Sequence, residues 1–91
     1  MIKGKTASGF SFSISEAARD DMELLEGLTR LAKGDMADLS ETIIALLGES
    51  QKKKLYEHCR GKNGRVSATR VFSEIEAILT AAQKENDDIK N

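Results

Sequence analysis

The sequence predicts an all-α fold, a small bundle of about four helices preceded by a short N-terminal β-strand or extended arm. The first observation is the stretch from Ser67 to Ala82, SATRVFSEIEAILTAA, where Val71, Phe72, Ile75, Ile78, Leu79 and Ala82 recur at steps of three and four. That spacing puts one continuous apolar stripe on a helix face too wide to leave in water, so earlier segments must cover it. The second is that those earlier segments carry apolar residues at the same spacing, and the third is that no proline interrupts any of them.

A chain of 91 residues supports one modest core and is too short for two. The predicted organisation is therefore a single helical domain over 1–91, with 1–8 flexible, 9–14 the strand or arm, 15–83 the helical core and 84–91 a flexible tail. The hydrophobic fraction of 40% and charged fraction of 32% fit a folded globular chain. One cysteine, Cys59, excludes an internal disulfide, and with no signal peptide or membrane-length apolar run the chain is expected in the cytoplasm.

Taken in order, Phe10, Phe12 and Ile14 alternate with Ser11 and Ser13, a period of two that suits a strand with one apolar face. Such a strand must satisfy its backbone by pairing with residues 1–5, with a second copy of the chain or with a partner protein; otherwise the segment is an arm whose aromatics cap the core. Ser15 to Lys33 reads as one helix with Ala18, Met22, Leu25, Leu28 and Leu31 or Ala32 inward and Leu24 on the flank. Asp20, Asp21 and Glu23 suit the positive end of its dipole, and Gly34 follows its end. Gly27 in its middle costs about 1 kcal/mol relative to alanine, which points to another helix passing close by.

A second helix opens at Asp38, whose side chain is placed to cap it, and Ile43, Ile44, Leu46 and Leu47 make it apolar most of the way round, the central buried helix. Gly48 stops it. Ser50 is placed to cap a third helix reaching Arg60, with Leu55, Tyr56 and Cys59 inward and Lys52, Lys53 and Lys54 outward. Asn63-Gly64 marks a turn, and Ser67 caps the last helix, with Val66 and Val71 placed as a hydrophobic staple.

Catalytic and metal constellations are missing from this pattern. His58 and Cys59 are adjacent, and neighbouring helical residues point about 100° apart, so they do not form a thiol and base pair. One His and one Cys are too few for a zinc site, and no glycine-rich phosphate loop follows a strand. The expectation is a non-enzymatic protein without cofactor or metal.

The net charge of −1 hides segregation: residues 16–49 carry nine acids and three bases, whereas residues 50–70 carry seven bases and one acid. Either oppositely charged helices pair internally, or the basic part meets nucleic acid. Helix, glycine-containing turn and helix over Ser50 to Ala82, with Lys52, Lys53, Lys54, Arg60, Lys62, Arg65 and Arg70, keep a small helix-turn-helix-like DNA-binding regulator as the alternative function. Against it, Ala68, Thr69 and Arg70 offer few base-reading groups, and Glu74 and Glu76 repel phosphate, so no specific nucleic-acid partner is expected.

Taken together, Gly9-Phe10 with its alternating strand, Asp20-Asp21-Met22-Glu23-Leu24-Leu25-Glu26, Leu46-Leu47-Gly48-Glu49-Ser50-Gln51, Leu55-Tyr56-Glu57-His58-Cys59-Arg60 and Asn63-Gly64-Arg65-Val66-Ser67 form an ordered set. In that order and spacing, over Gly9 to Ala81, the chain resembles the small tail assembly chaperones of long-tailed bacteriophages and of prophages in Gram-positive bacteria. It departs from them in the bases Arg30 and Lys33 and in the lysine triplet. The resemblance implies a mostly helical protein in the cytoplasm of the bacterial host, absent from the mature virion, that binds the tape-measure protein, keeps it soluble and helps recruit tail-tube protein. It also implies no catalytic residue. Phe10, Phe12 and Ile14 of the arm, with Leu24, are the expected partner-binding residues, because an unpaired apolar strand recruits a partner or a second copy, and self-association is one outcome. No membrane contact is expected.

Overall fold

The computed structural model describes the backbone of residues 1–90 and the side chains of residues 1–83. Seven elements follow one another: β1 (Ile2–Lys5), β2 (Ser11–Ile14), α1 (Glu16–Arg19), α2 (Met22–Ala32), α3 (Leu39–Leu47), α4 (Glu49–His58) and α5 (Ala68–Lys90). The all-α expectation is thus corrected to a helix-rich mixed fold, because β1 and β2 pair as an antiparallel two-stranded sheet.

The reason lies in residues 1–8, expected to be flexible. Ile2 and Gly4 alternate with Lys3 and Lys5, the same period of two that β2 shows, and the register Ile2↔Ile14, Gly4↔Phe12 brings the inward residues of both strands to one face. Ile2, Phe12 and Ile14 are buried there. The Phe12 ring lies across Gly4, where a Cβ would come 2.7 Å from the ring's Cζ. Thr6 and Gly9 close the hairpin: Thr6 N donates to Phe10 O, Gly9 N donates to Thr6 O, and Gly9 takes a φ of 97° that glycine adopts without strain. The sheet packs on α5 through β1 and on α3 through β2, while the Gln51 side chain of α4 hydrogen-bonds the backbone of Ser13.

The helix expected from Ser15 to Lys33 is two helices. Ser15 caps α1 by accepting from Ala18 N at 3.1 Å, Asp20 ends it, and Asp21 caps α2 by accepting from Leu24 N at 3.1 Å. The break resets the helical phase. Leu24, expected on the flank, is interior, whereas Met22 and Leu25, expected inward, are 66% and 55% exposed. Gly27 meets α3 as its position suggested, since a Cβ on it would stand 2.5 Å from Thr42 Oγ1.

Asp38 does not cap α3 with its side chain; its carboxylate pairs instead with Arg30 at 3.0 Å and ties the end of α2 to the start of α3. Helix α3 is the buried one, with Thr42, Ile43, Leu46 and Leu47 inside and Ile43 1% exposed. Gly48, at φ 85°, turns directly into α4, so Ser50 lies within that helix rather than capping it. Ser67 caps α5 by accepting from Arg70 N at 3.2 Å, with Val66 half-buried near buried Val71. Val71, Ile75, Ile78 and Ala82 carry the inward stripe of α5. The flexible tail expected over 84–91 concerns side chains, and in Asn91 a whole residue, outside those described.

Candidate functional site

Because α2 leans on α3 through Gly27, its opposite flank is left open toward α5. Two adjoining apolar hollows of about 370 and 350 Å³ lie there, sharing Leu28 and Leu79 in their walls. Ile2, Ile14, Ala18, Leu24, Leu46 and Ala82 complete the first hollow, with Met22 and Leu25 on its rim and Arg19, Asp20 and Asp21 at its mouth. The second is completed by Leu31, Ala32, Met36, Phe72, Ile75 and Glu76. Among the described residues, four large apolar side chains are exposed, and three of them, Met22, Leu25 and Met36, border this groove. An apolar cluster of that kind makes this groove the candidate binding surface of the domain.

The four residues expected to bind a partner divide. Ile14 and Leu24 line the floor of the first hollow at 4% and 5% exposure. Phe10 and Phe12 line neither hollow and are core residues at 5% and 4%, so they have no free face to offer. Of the three pairings open to this strand, the one formed is with residues 2–5, as β1. Met22, Leu25 and Met36 were not singled out as partner residues. The available signal was an excess: Met22, Leu24, Leu25, Leu28 and Leu31 spread over more of the α2 surface than one buried stripe uses.

A polar cluster lies at the hairpin turn. Glu74 of α5, 8% exposed, accepts from Thr6 Oγ1 and from Ser8 Oγ, each at 2.8 Å. His58 Nε2 is 2.9 Å from Ser8 Oγ and 4.0 Å from Glu74 Oε1, and the Phe10 ring centre lies 5.5 Å from the imidazole. Serine, histidine and a carboxylate are present, but in the wrong order for acyl transfer. A hydrolytic triad sets the imidazole between the other two, so that it takes the hydroxyl proton. Here Ser8 sits between and donates a hydrogen bond to Glu74 Oε2, so its hydroxyl hydrogen is not directed at His58 Nε2. The cluster therefore fastens the β1–β2 turn to α4 and α5. Cys59 beside it is fully buried, and its thiol pKa is pushed up by burial and by the Glu74 charge, partly offset by Arg70; this is the reverse of an activated nucleophile.

In the basic segment, Lys52 Nζ donates to Ser40 Oγ at 2.6 Å, Arg60 pairs with Glu57 at 2.8 Å and donates to Gly64 O at 2.6 Å, and Arg70 donates to His58 O at 3.3 Å. Three of the bases considered for phosphate contact are thus engaged within the chain. The connection from α4 to α5 is held by Ser67 N donating to Cys59 O and by the Arg60↔Val66 bridge around the Asn63-Gly64 turn. Among the described residues, no group of three or more His, Cys, Asp or Glu is placed to hold a metal ion, and no helix is long and apolar enough to cross a membrane. Comparison with protein-family models, with curated proteins and with solved structures returned no match to this chain.

Proposed function

We propose that this chain is a tail assembly chaperone of a long-tailed bacteriophage or prophage, which binds the tape-measure protein, keeps that long apolar chain soluble and assists tail-tube protein in assembling around it. It acts in the cytoplasm of the bacterial host, is left out of the mature virion and carries out no catalysis. Two things support the reading: the ordered motifs from Gly9 to Ala81, and the α2–α5 groove, which is the single structural observation that carries it. A holdase needs apolar surface that is exposed in its own folded state, and the groove provides it without loosening the core.

Co-expression tests the proposal. Tape-measure protein made alone is expected to aggregate, and made with this chain to remain soluble in a complex that survives size-exclusion chromatography. Tape-measure protein that stays insoluble, with no complex recovered, would overturn the proposal.

A further inference from the structure

Within the chaperone reading above, we infer that the α2–α5 groove takes an amphipathic helix whose apolar stripe is flanked by lysine and arginine. Charge supplies the first half of the argument. Asp20 and Asp21 stand with Arg19 at the mouth of the first hollow and Glu76 lines the second, three acids to one base among the described lining residues. Among the described residues, Asp20 and Glu76 form no salt bridge with a basic side chain, while Arg30 is matched by Asp38 at 3.0 Å and Glu16 is shared between the Met1 ammonium at 2.9 Å and Arg19 at 3.8 Å. An apolar floor with a net acidic rim favours an occupant that brings cations to the rim, and the aliphatic stems of Lys and Arg also cover exposed Met22 and Leu25. A second copy of this chain fits badly, since a two-fold contact through the groove sets acidic rim against acidic rim.

Shape supplies the second half. Most of the groove lining is side chains of α2 and α5, Ile2 and Ile14 reach its floor from the sheet, and the outward backbone of Ser13 in β2 is already occupied by Gln51. An extended segment seated there would leave its backbone unpaired; a helix satisfies its own. Helix α2, with 11 residues, offers a wall of about 16 Å at 1.5 Å per residue, room for three turns of a partner helix.

The test uses three fluorescein-labelled peptides of about five helical turns. One has leucines at helical spacing flanked by lysines, one the same stripe flanked by glutamates, and one the lysine peptide's composition in scrambled order. Fluorescence anisotropy at physiological salt is expected to show the lysine-flanked peptide binding at least about tenfold tighter than the other two. Leu25→Lys, at a position already exposed, is expected to weaken that binding by about tenfold or more with unchanged circular dichroism, and Asp20→Lys with Glu76→Lys to erase the preference for lysine over glutamate flanks. Equal binding of the scrambled peptide, no binding of any peptide, or indifference to Leu25→Lys overturns the inference. So does sedimentation equilibrium showing a dimer that Leu25→Lys dissociates, which gives the groove to a second copy. Co-expression with the tape-measure protein separates the two levels: if wild type and Leu25→Lys both hold it soluble, the groove inference falls and the chaperone reading stands. If the lysine-flanked peptide binds but wild type leaves the tape measure insoluble, the chaperone reading falls and the groove assignment stands.

Discussion

The side-chain amide of Gln51 reproduces the hydrogen bonding of a neighbouring strand at Ser13. Its Oε1 accepts from Ser13 N at 2.7 Å and its Nε2 donates to Ser13 O at 2.8 Å, while the same Nε2 reaches Leu47 O at 2.6 Å. A glutamine in α4 thus closes the sheet at β2 and ties it to the end of α3. Gln51→Leu is expected to cost about 1–3 kcal/mol in urea unfolding, the penalty for leaving a part-buried backbone group unpaired. Gln51→Glu should also destabilise, because a carboxylate accepts from Ser13 N but cannot donate to Ser13 O. Wild-type stability in both variants would show that water replaces these bonds at no loss.

Phe12 is the second test. At 4% exposure and stacked across Gly4, it belongs to the core, so Phe12→Ala is expected to cost about 3–5 kcal/mol. Thermal unfolding followed by circular dichroism checks it. A melting temperature unchanged from wild type would return the hairpin to the status of a detachable arm.

Gly27→Ala sets propensity against packing. In an open helix the change gains about 1 kcal/mol, but here the new methyl meets Thr42 Oγ1 at 2.5 Å, and overpacking of that kind costs about 1–3 kcal/mol. The net effect is destabilisation. Pairing it with Thr42→Ala should make the double variant more stable than the sum of the single changes allows, a coupling that a double-mutant cycle reads directly.

Cys59 gives a pH dependence. Its thiol binds its proton more tightly in the folded chain than in the unfolded one, chiefly through burial. The unfolded state therefore loses that proton first, and the contribution of Cys59 to stability is intact well below the ordinary pKa of 9.0 and falls as pH rises through it. Cys59→Ala should flatten the alkaline decline relative to wild type, whatever it does to neutral stability. Native Cys59 should also react with a thiol reagent only as fast as the chain opens; prompt reaction would contradict its burial.

DNA binding is expected to be weak, independent of sequence and abolished by moderate salt, since Arg60 and Arg70 are held by neighbours in the chain. Electrophoretic mobility shifts against a random-sequence library check this. Selection of one operator with nanomolar affinity at physiological salt would favour the regulator alternative.

Much of the scaffold was legible. The α5 stripe, the buried character of α3 and the close approach at Gly27 all follow from spacing, because in each a single residue pattern has one packing solution. The phase of α2 was not, because Met22, Leu25 and Leu28 make as good a stripe as Leu24, Leu28 and Leu31, and only the break at Asp20 chooses between them. Pairing of β2 with residues 1–5 was one of three options, since alternation shows that a strand needs a partner without saying which. The groove was the least visible feature. A periodic stripe reads the same whether or not another helix covers it, so Met22, Leu25 and Met36 become a site only once α2 and α5 are seen to stand apart.

The bond from Thr6 to Glu74 joins residues 68 apart in sequence, and β1 packs against α5. On the ribosome, β1 can pair with β2 at once, but the face it turns to α5 stays uncovered until the segment around Glu74 has been synthesised. At about 5–20 residues per second, that face of the hairpin waits several seconds while the intervening helices are synthesised. Completion of this domain therefore depends on a contact that forms late. Its hairpin is the part most exposed to misassembly on crowded polysomes, where many copies at the same stage lie side by side.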